Sequence, residues 1–213
     1  DDDDDLEIVI GGYSAFGEET ELNEVFVINP DGSELDGFPF VLGEKIKSGI
    51  ALHDFNDNGK DDLVIGTDDD NLYVIYDDGT IASGFPFHVD DKIQTSPIVK
   101  RFGTEDIIFT GSNDHGFYAI NGNGTLRFSF IAENKIQTSP SILNHAGSSI
   151  VFFGSDDKIY AFDMDGNSLS NWPISVNGAI SGSVVFSDID GDGEAEVVVS
   201  TDIGEILAIH LDG

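Results

Sequence analysis

Cysteine is absent from this 213-residue chain, so neither a disulfide framework nor thiol chemistry is open to it. Basic residues are scarce: nine Lys and Arg stand against 41 Asp and Glu, a formal charge of −32. A surface that acidic repels phosphate backbones and anionic lipid, which argues against nucleic acid and membrane insertion. No apolar run approaches the roughly 20 residues of a membrane-spanning helix, and no signal peptide opens the sequence. Runs with helical periodicity are missing too. The five histidines, His53, His88, His115, His145 and His210, form no H-E-x-x-H, and no nucleophile elbow, zinc spacing or Gly-rich phosphate loop occurs. Carboxylates are so abundant that no glycosidase-type pair is marked out among them. Catalysis therefore has no positive signature.

What the chain does have is an apolar fraction of 39% with 16 Phe, enough to build a core and too much for an acidic disordered chain. It also repeats. "KIKSG" begins at Lys45, "KIQTSP" at Lys92 and again at Lys135, and "AISGS" at Ala179. Their isoleucines, Ile46, Ile93, Ile136 and Ile180, are separated by 47, 43 and 44 residues. The aromatics Phe38, Phe85, Phe128 and Trp172 keep the same separations, and Gly32, Gly79, Gly124, Gly166 and Gly213 form a third register. Each unit reads as four short strands joined by turn signals, as in "SGIALHDF", "DLVIGT", "NLYVIY" and "TIASGFPFHV" of the second.

Four-stranded units of about 40–45 residues are the signature of β-propeller blades. The expected fold is all-β: units 1–44 (partial), 45–91, 92–134, 135–178 and 179–213 (partial), with three, four, four, four and three strands. Residues 1–213 then form one propeller domain or part of a larger one. The runs "EDIIFTG" and "SSIVFFG" read as inner strands buried on both faces, and the Phe/Trp register as packing between blades. "YSAFGEETEL" (13–22) is an insertion expected in a rim loop.

Two loops carry chemistry. "DFNDNGKDDLVIG" and "DIDGDGEAEVVVS" place oxygen-bearing side chains at positions 1, 3 and 5, Gly at 6 and a carboxylate at 9, directly before an apolar strand. Ca²⁺ takes six to eight hard oxygens, and alternate residues of a tight turn supply them. The expected ligands are Asp54, Asn56, Asn58, the carbonyl of Lys60 and Asp62 in one loop. In the other they are Asp188, Asp190, Asp192, the carbonyl of Glu194 and Glu196. An EF-hand is excluded, because position 12 is Ile65 or Val199 and strands flank the loop. Asp1, Asp3 and Glu7 align with a third such loop, whereas "RFGTED" and "NHAGSS" lack the ligands.

D-x-[DN]-x-[DN]-G-x-x-[DE] ahead of an apolar strand, repeated in four-stranded units, resembles the FG-GAP/VCBS family of calcium-bearing propeller repeats. The resemblance covers essentially the whole chain. The literal FG and GAP residues are missing, and "TSP" with "IVFFGSDDKIYAFD" is closer to quinoprotein-like repeats. It implies a non-catalytic, secreted or cell-surface module bound to Ca²⁺, with a protein or glycan partner and self-assembly through the incomplete end blades. A lectin-like propeller and a propeller-type polysaccharide lyase are the alternatives. The Asn-bearing first loop should bind more weakly than the acidic second, in keeping with the millimolar calcium outside cells.

Overall fold

The computed structural model describes residues 6–12 and 23–213. Asp1, Asp3 and the insertion 13–22 lie outside the described residues. Within them the chain forms 18 strands in five antiparallel sheets, each meandering in sequence order, and no helix. The first sheet comprises β1 (Ile8–Gly11), β2 (Glu24–Ile28) and β3 (Phe40–Val41). The second runs β4 (Ala51–His53), β5 (Asp62–Gly66), β6 (Asn71–Ile75) and β7 (Phe87–His88). The third runs β8 (Ile98–Phe102), β9 (Glu105–Gly111), β10 (Gly116–Asn121) and β11 (Leu126–Ile131). The fourth runs β12 (Ser141–His145), β13 (Ser148–Ser155), β14 (Lys158–Asp163) and β15 (Ile174–Ser175). The last has β16 (Val185–Ser187), β17 (Glu196–Ser200) and β18 (Ile206–Ile209).

Successive side chains of a strand point to opposite faces, and here each face meets a different neighbour. Leu63 and Ile65 of β5 pack toward the first sheet, while Val64 joins Ile108 and Ile120 of the third. Ile107 and Phe109 face the fourth sheet, and Phe152 of β13 faces the fifth. Four apolar cores thus lie between five sheets, which is why the second strand of a complete unit is apolar at consecutive positions. The core between sheets three and four is aromatic: Phe117 and Phe153 stack at 4.1 Å between ring centres, with Tyr160 at 5.0 Å from Phe153.

The repeated words encode repeated contacts. Ile93 of "KIQTSP" lies on Gly66 of the preceding sheet, and Ile136 on Gly111. Thr95 and Thr138 donate to the carbonyls of Gly111 and Gly154 in their own sheets, at 2.9 and 2.8 Å. The serine hydroxyls link sheets: Gly49 N–H donates to Ser96 Oγ and Ser96 N–H to Ser139 Oγ, both at 2.8 Å. A Cβ on Gly66 would lie 2.2 Å from Ile93 Cγ2. Gly66→Ala should accordingly cost about 1–3 kcal/mol, the usual range for overpacking, read as a lower urea midpoint.

Three outer strands, β3, β7 and β15, are two residues long and shorter than their sequences suggest, whereas β11 spans six. In "TIASGFPFHV" only Phe87 and His88 pair as a strand, with a single bridge from Ile81 to Ile75. Pro86 has no N–H to give a ladder, and Gly84 closes on the next sheet, where a Cβ would fall 2.1 Å from the Asn123 carbonyl oxygen. Phe38 and Trp172 are buried just ahead of β3 and β15 rather than within them.

Candidate functional site

The two Asp-rich loops join the first and second strands of sheets two and five. They share four backbone hydrogen bonds and differ in the second bond to position 1, where Asp54 Oδ1 accepts from Asn58 N–H at 3.1 Å and Asp188 Oδ1 from Gly191 N–H at 2.7 Å. At position 1, Asp54 Oδ2 accepts from Gly59 N–H at 2.8 Å and Asp188 Oδ2 from Gly193 N–H at 3.1 Å. At position 3, Asn56 and Asp190 accept from the N–H of Asn58 and Asp192 at 3.0 and 3.1 Å. At position 5, Asn58 and Asp192 accept from Lys60 and Glu194 N–H, both at 2.8 Å. At position 9, Asp62 and Glu196 accept from Phe55 and Ile189 N–H at 2.9 and 2.7 Å. Gly59 and Gly193 adopt φ of 87° and 93°, the left-handed region that position 6 was expected to need. Position 4 is left-handed as well, at Asp57 and Gly191, which the spacing of oxygens alone did not reveal.

The loops differ at the ninth position. Asp62 is fully buried, and both its oxygens are taken, Oδ1 accepting from Asp77 N–H at 3.0 Å. Burial pushes its carboxyl above the ordinary value despite those two bonds. For Asp54, burial is outweighed by backbone N–H groups led by Gly59, and its carboxyl falls below the usual value. Glu196 is 3% exposed, and its Oε1 accepts no hydrogen bond. His210 Nδ1 stands 3.2 Å from that oxygen but off the direction a hydrogen bond requires. Carboxylate oxygens of Asp188, Asp190 and Glu196 lie within 4.8 Å of one another, and those of Asp190 and Asp192 do so with a His210 nitrogen. A buried carboxylate with one oxygen unbonded, clustered with two further carboxylates, fits a hard divalent cation.

The first loop has a neighbour that its sequence did not announce. Arg101, from the third sheet, donates to Asp57 Oδ1 at 2.9 Å while its other nitrogens hold Asp106. His53 Nε2 also lies 2.8 Å from Asp106, placing it in β4 beside the loop. Arg101 and Lys60 thus place positive charge beside this loop, which opposes a further cation there.

Strand directions put both loops on one rim. The opposite rim holds the turns after β5, β9, β13 and β17 and the linkers between sheets. Lys47, Lys92, Lys135 and Lys158 lie there, paired with Asp68, Asp91 and Glu133. Asp68 takes Lys47 at 2.6 Å and Gln94 Nε2 at 2.8 Å. Burial acts to raise its carboxyl, but these bonds and the Lys92 charge hold it below its ordinary value. A depressed folded value gives stability that is present above the unfolded pKa, near ~3.9, and lost as pH falls through the folded one. Asp68→Asn should thus be less stable than the parent at neutral pH, with the gap closing under strong acid in urea titrations.

No family model matches the sequence, and no curated protein matches it. Solved structures do. The chain is similar to the biofilm matrix protein Bap1 of V. cholerae at 16% identity and a TM-score of 0.70, covering 99% of this chain and 34% of that one. BamB from Moraxella catarrhalis matches at 13% identity and 0.69, covering 98% and 59%. BBS1N, solved in complex with ARL6DN, matches at 15% and 0.61, covering 89% and 59%. The chain therefore spans about three-fifths of the solved BamB and BBS1N chains and about a third of Bap1. The likeness, to propeller-like β proteins including BamB and BBS1N, defines the fold as an all-β, propeller-like array of antiparallel sheets. Among the described residues no strand pairing closes that array.

Proposed function

We propose that the chain is a non-catalytic, calcium-stabilised propeller module of the FG-GAP/VCBS type, working outside the cell by binding protein or glycan surfaces. The observation that carries the calcium reading is the buried Glu196 carboxylate, with one oxygen unbonded, beside Asp188 and Asp190. Asp192 and the Glu194 carbonyl complete the second set, and Asp54, Asn56, Asn58, the Lys60 carbonyl and Asp62 form the first. A bound ion supplies charge neutralisation where the carboxylates crowd. The chain's own residues fix the loop, each ligand side chain being oriented by at least one backbone N–H.

The interaction reading is supported by the fold of the neighbours, one of them seen with a protein partner, and by the two outer sheets. Ile8 and Ile10 of the first and Val185 and Ile206 of the last are exposed on faces that, in the inner sheets, pack against a neighbour. Apolar faces of that kind mark places where another surface docks. Calorimetric titration with Ca²⁺ tests the reading. Two sites are expected, the weaker one lost in Asp54→Ala and the tighter one in Asp188→Ala. Heatless titration, or both sites saturating below micromolar calcium, contradicts it.

A further inference from the structure

The rim opposite the Asp-rich loops carries a line of side chains that crosses three sheets. Gln137 Nε2 donates to Asn113 Oδ1 at 3.3 Å, Asn113 Nδ2 to Gln94 Oε1 at 3.3 Å, and Gln94 Nε2 to Asp68 Oδ1 at 2.8 Å. Amide oxygen and nitrogen are otherwise interchangeable in such a chain, but Asp68 fixes the direction. An ionised carboxylate, held so by Lys47, only accepts. Gln94 must therefore present its NH₂ to Asp68, Asn113 its NH₂ to Gln94, and Gln137 its NH₂ to Asn113. Every donor points one way, and the bonds polarise one another. The ladder ends at the exposed Gln137, whose Oε1 accepts no hydrogen bond among the described residues.

Gln137 lines a cleft of about 410 Å³ between the fourth and fifth sheets, with Asn134, Lys135, Asp156, His115 and Ile180 around it. That volume falls within the range of small-ligand sites. Gln137 Oε1 and the Asp156 carboxylate, whose Oδ2 takes Asn134 Nδ2 at 3.0 Å, are acceptors, and Lys135 Nζ is a donor. Asp156 and the chain's charge of −32 oppose an anion, while Lys135, 3.9 Å from an Asp91 oxygen, is the one Lys or Arg lining the cleft to set against a cation. A group that donates and accepts at neighbouring atoms without net charge satisfies both. We infer that this cleft binds a neutral, hydroxyl-rich small molecule, a single sugar residue, with Gln137 Oε1 accepting from a hydroxyl and Asp68 acting at a distance to hold Gln137 in that orientation. The cleft shares no residue with the calcium loops, so either reading can fail while the other stands.

The test is binding by NMR titration at saturating calcium, using glucose, galactose, mannose and N-acetylglucosamine as neutral probes, with glucuronate and glucosamine as charged counterparts. At least one neutral sugar should bind with a Kd below about 10 mM. Gln137→Met keeps the side-chain length and removes the amide; it should weaken that sugar about tenfold, the size of one hydrogen bond. Asp68→Asn lies outside the cleft and frees the ladder to reverse. It should weaken the same sugar several-fold with unchanged circular dichroism, and a merely local role for Asp68 would leave binding alone. Three results overturn the inference: no neutral sugar bound by the folded protein, a charged counterpart bound more tightly than every neutral one, or folded Gln137→Met binding like the parent.

Discussion

Replacing Phe117 by alanine should cost about 3–5 kcal/mol, the range for truncating a fully buried aromatic ring. Phe117 is wholly buried between sheets three and four, and Phe153 stacks against it at 4.1 Å. Phe109, Phe128 and Phe162 stand around it with ring centres at 6.0, 6.4 and 6.4 Å. Close-packed rings on both sides leave no simple way for the hole to collapse, so the transfer loss and the cavity add. In an array where each sheet touches only its neighbours, the damage should stay local. Hydrogen exchange should quicken in β9–β10 and β13–β14 more than in β1–β2 or β17–β18. Leu126→Ala, at an exposed position of the same sheet, should change stability by no more than about 0.5 kcal/mol.

Much of this architecture was legible in the sequence because a repeat is a measurement made several times. The isoleucine period located the sheet-to-sheet contacts, since Ile93 and Ile136 each sit on the glycine of the preceding sheet. The glycine register also marked the turn after each third strand, where Gly32, Gly79, Gly124, Gly166 and Gly213 all have positive φ. The Asp-rich loops were legible for a different reason: oxygens on alternate residues are a local geometry, complete within nine positions.

Contacts assembled from distant positions were not legible. Asp68, Gln94, Asn113 and Gln137 are ordinary polar residues of turns and linkers, and only the fold brings them into one ladder. Arg101 falls in a segment notable for lacking calcium ligands, yet it reaches across to Asp57 of the neighbouring loop. The shortness of β7 was hidden too. A run such as "TIASGFPFHV" has strand composition, but the close approach of Gly84 to Asn123 bends it away from the ladder.

Withdrawing calcium should produce the other large effect. Two Ca²⁺ ions would leave the formal charge at −28 against −32, so they do little for the molecule as a whole. On the proposed reading their action would be confined to the loops, where each would neutralise crowded carboxylates and pin the turn between two strands. An ion bound only by the folded state, at 100 times its dissociation constant, adds about 2.7 kcal/mol. The fifth sheet should lose most. Its loop carries the orphaned Glu196 oxygen and four acidic side chains at positions 1, 3, 5 and 9, whereas Arg101 and two Asn reduce the demand for a cation in the second.

Hydrogen exchange measured with calcium and again with chelator tests that account most directly. Amides of β16–β17 should lose the most protection and those of β4–β5 less, while the third and fourth sheets, whose first loops have no ligands, should barely respond. In Asp188→Ala the β16–β17 response to chelator should vanish and that of β4–β5 persist. Equal loss of protection in all five sheets, or none in any, would contradict the assignment of calcium to these two loops.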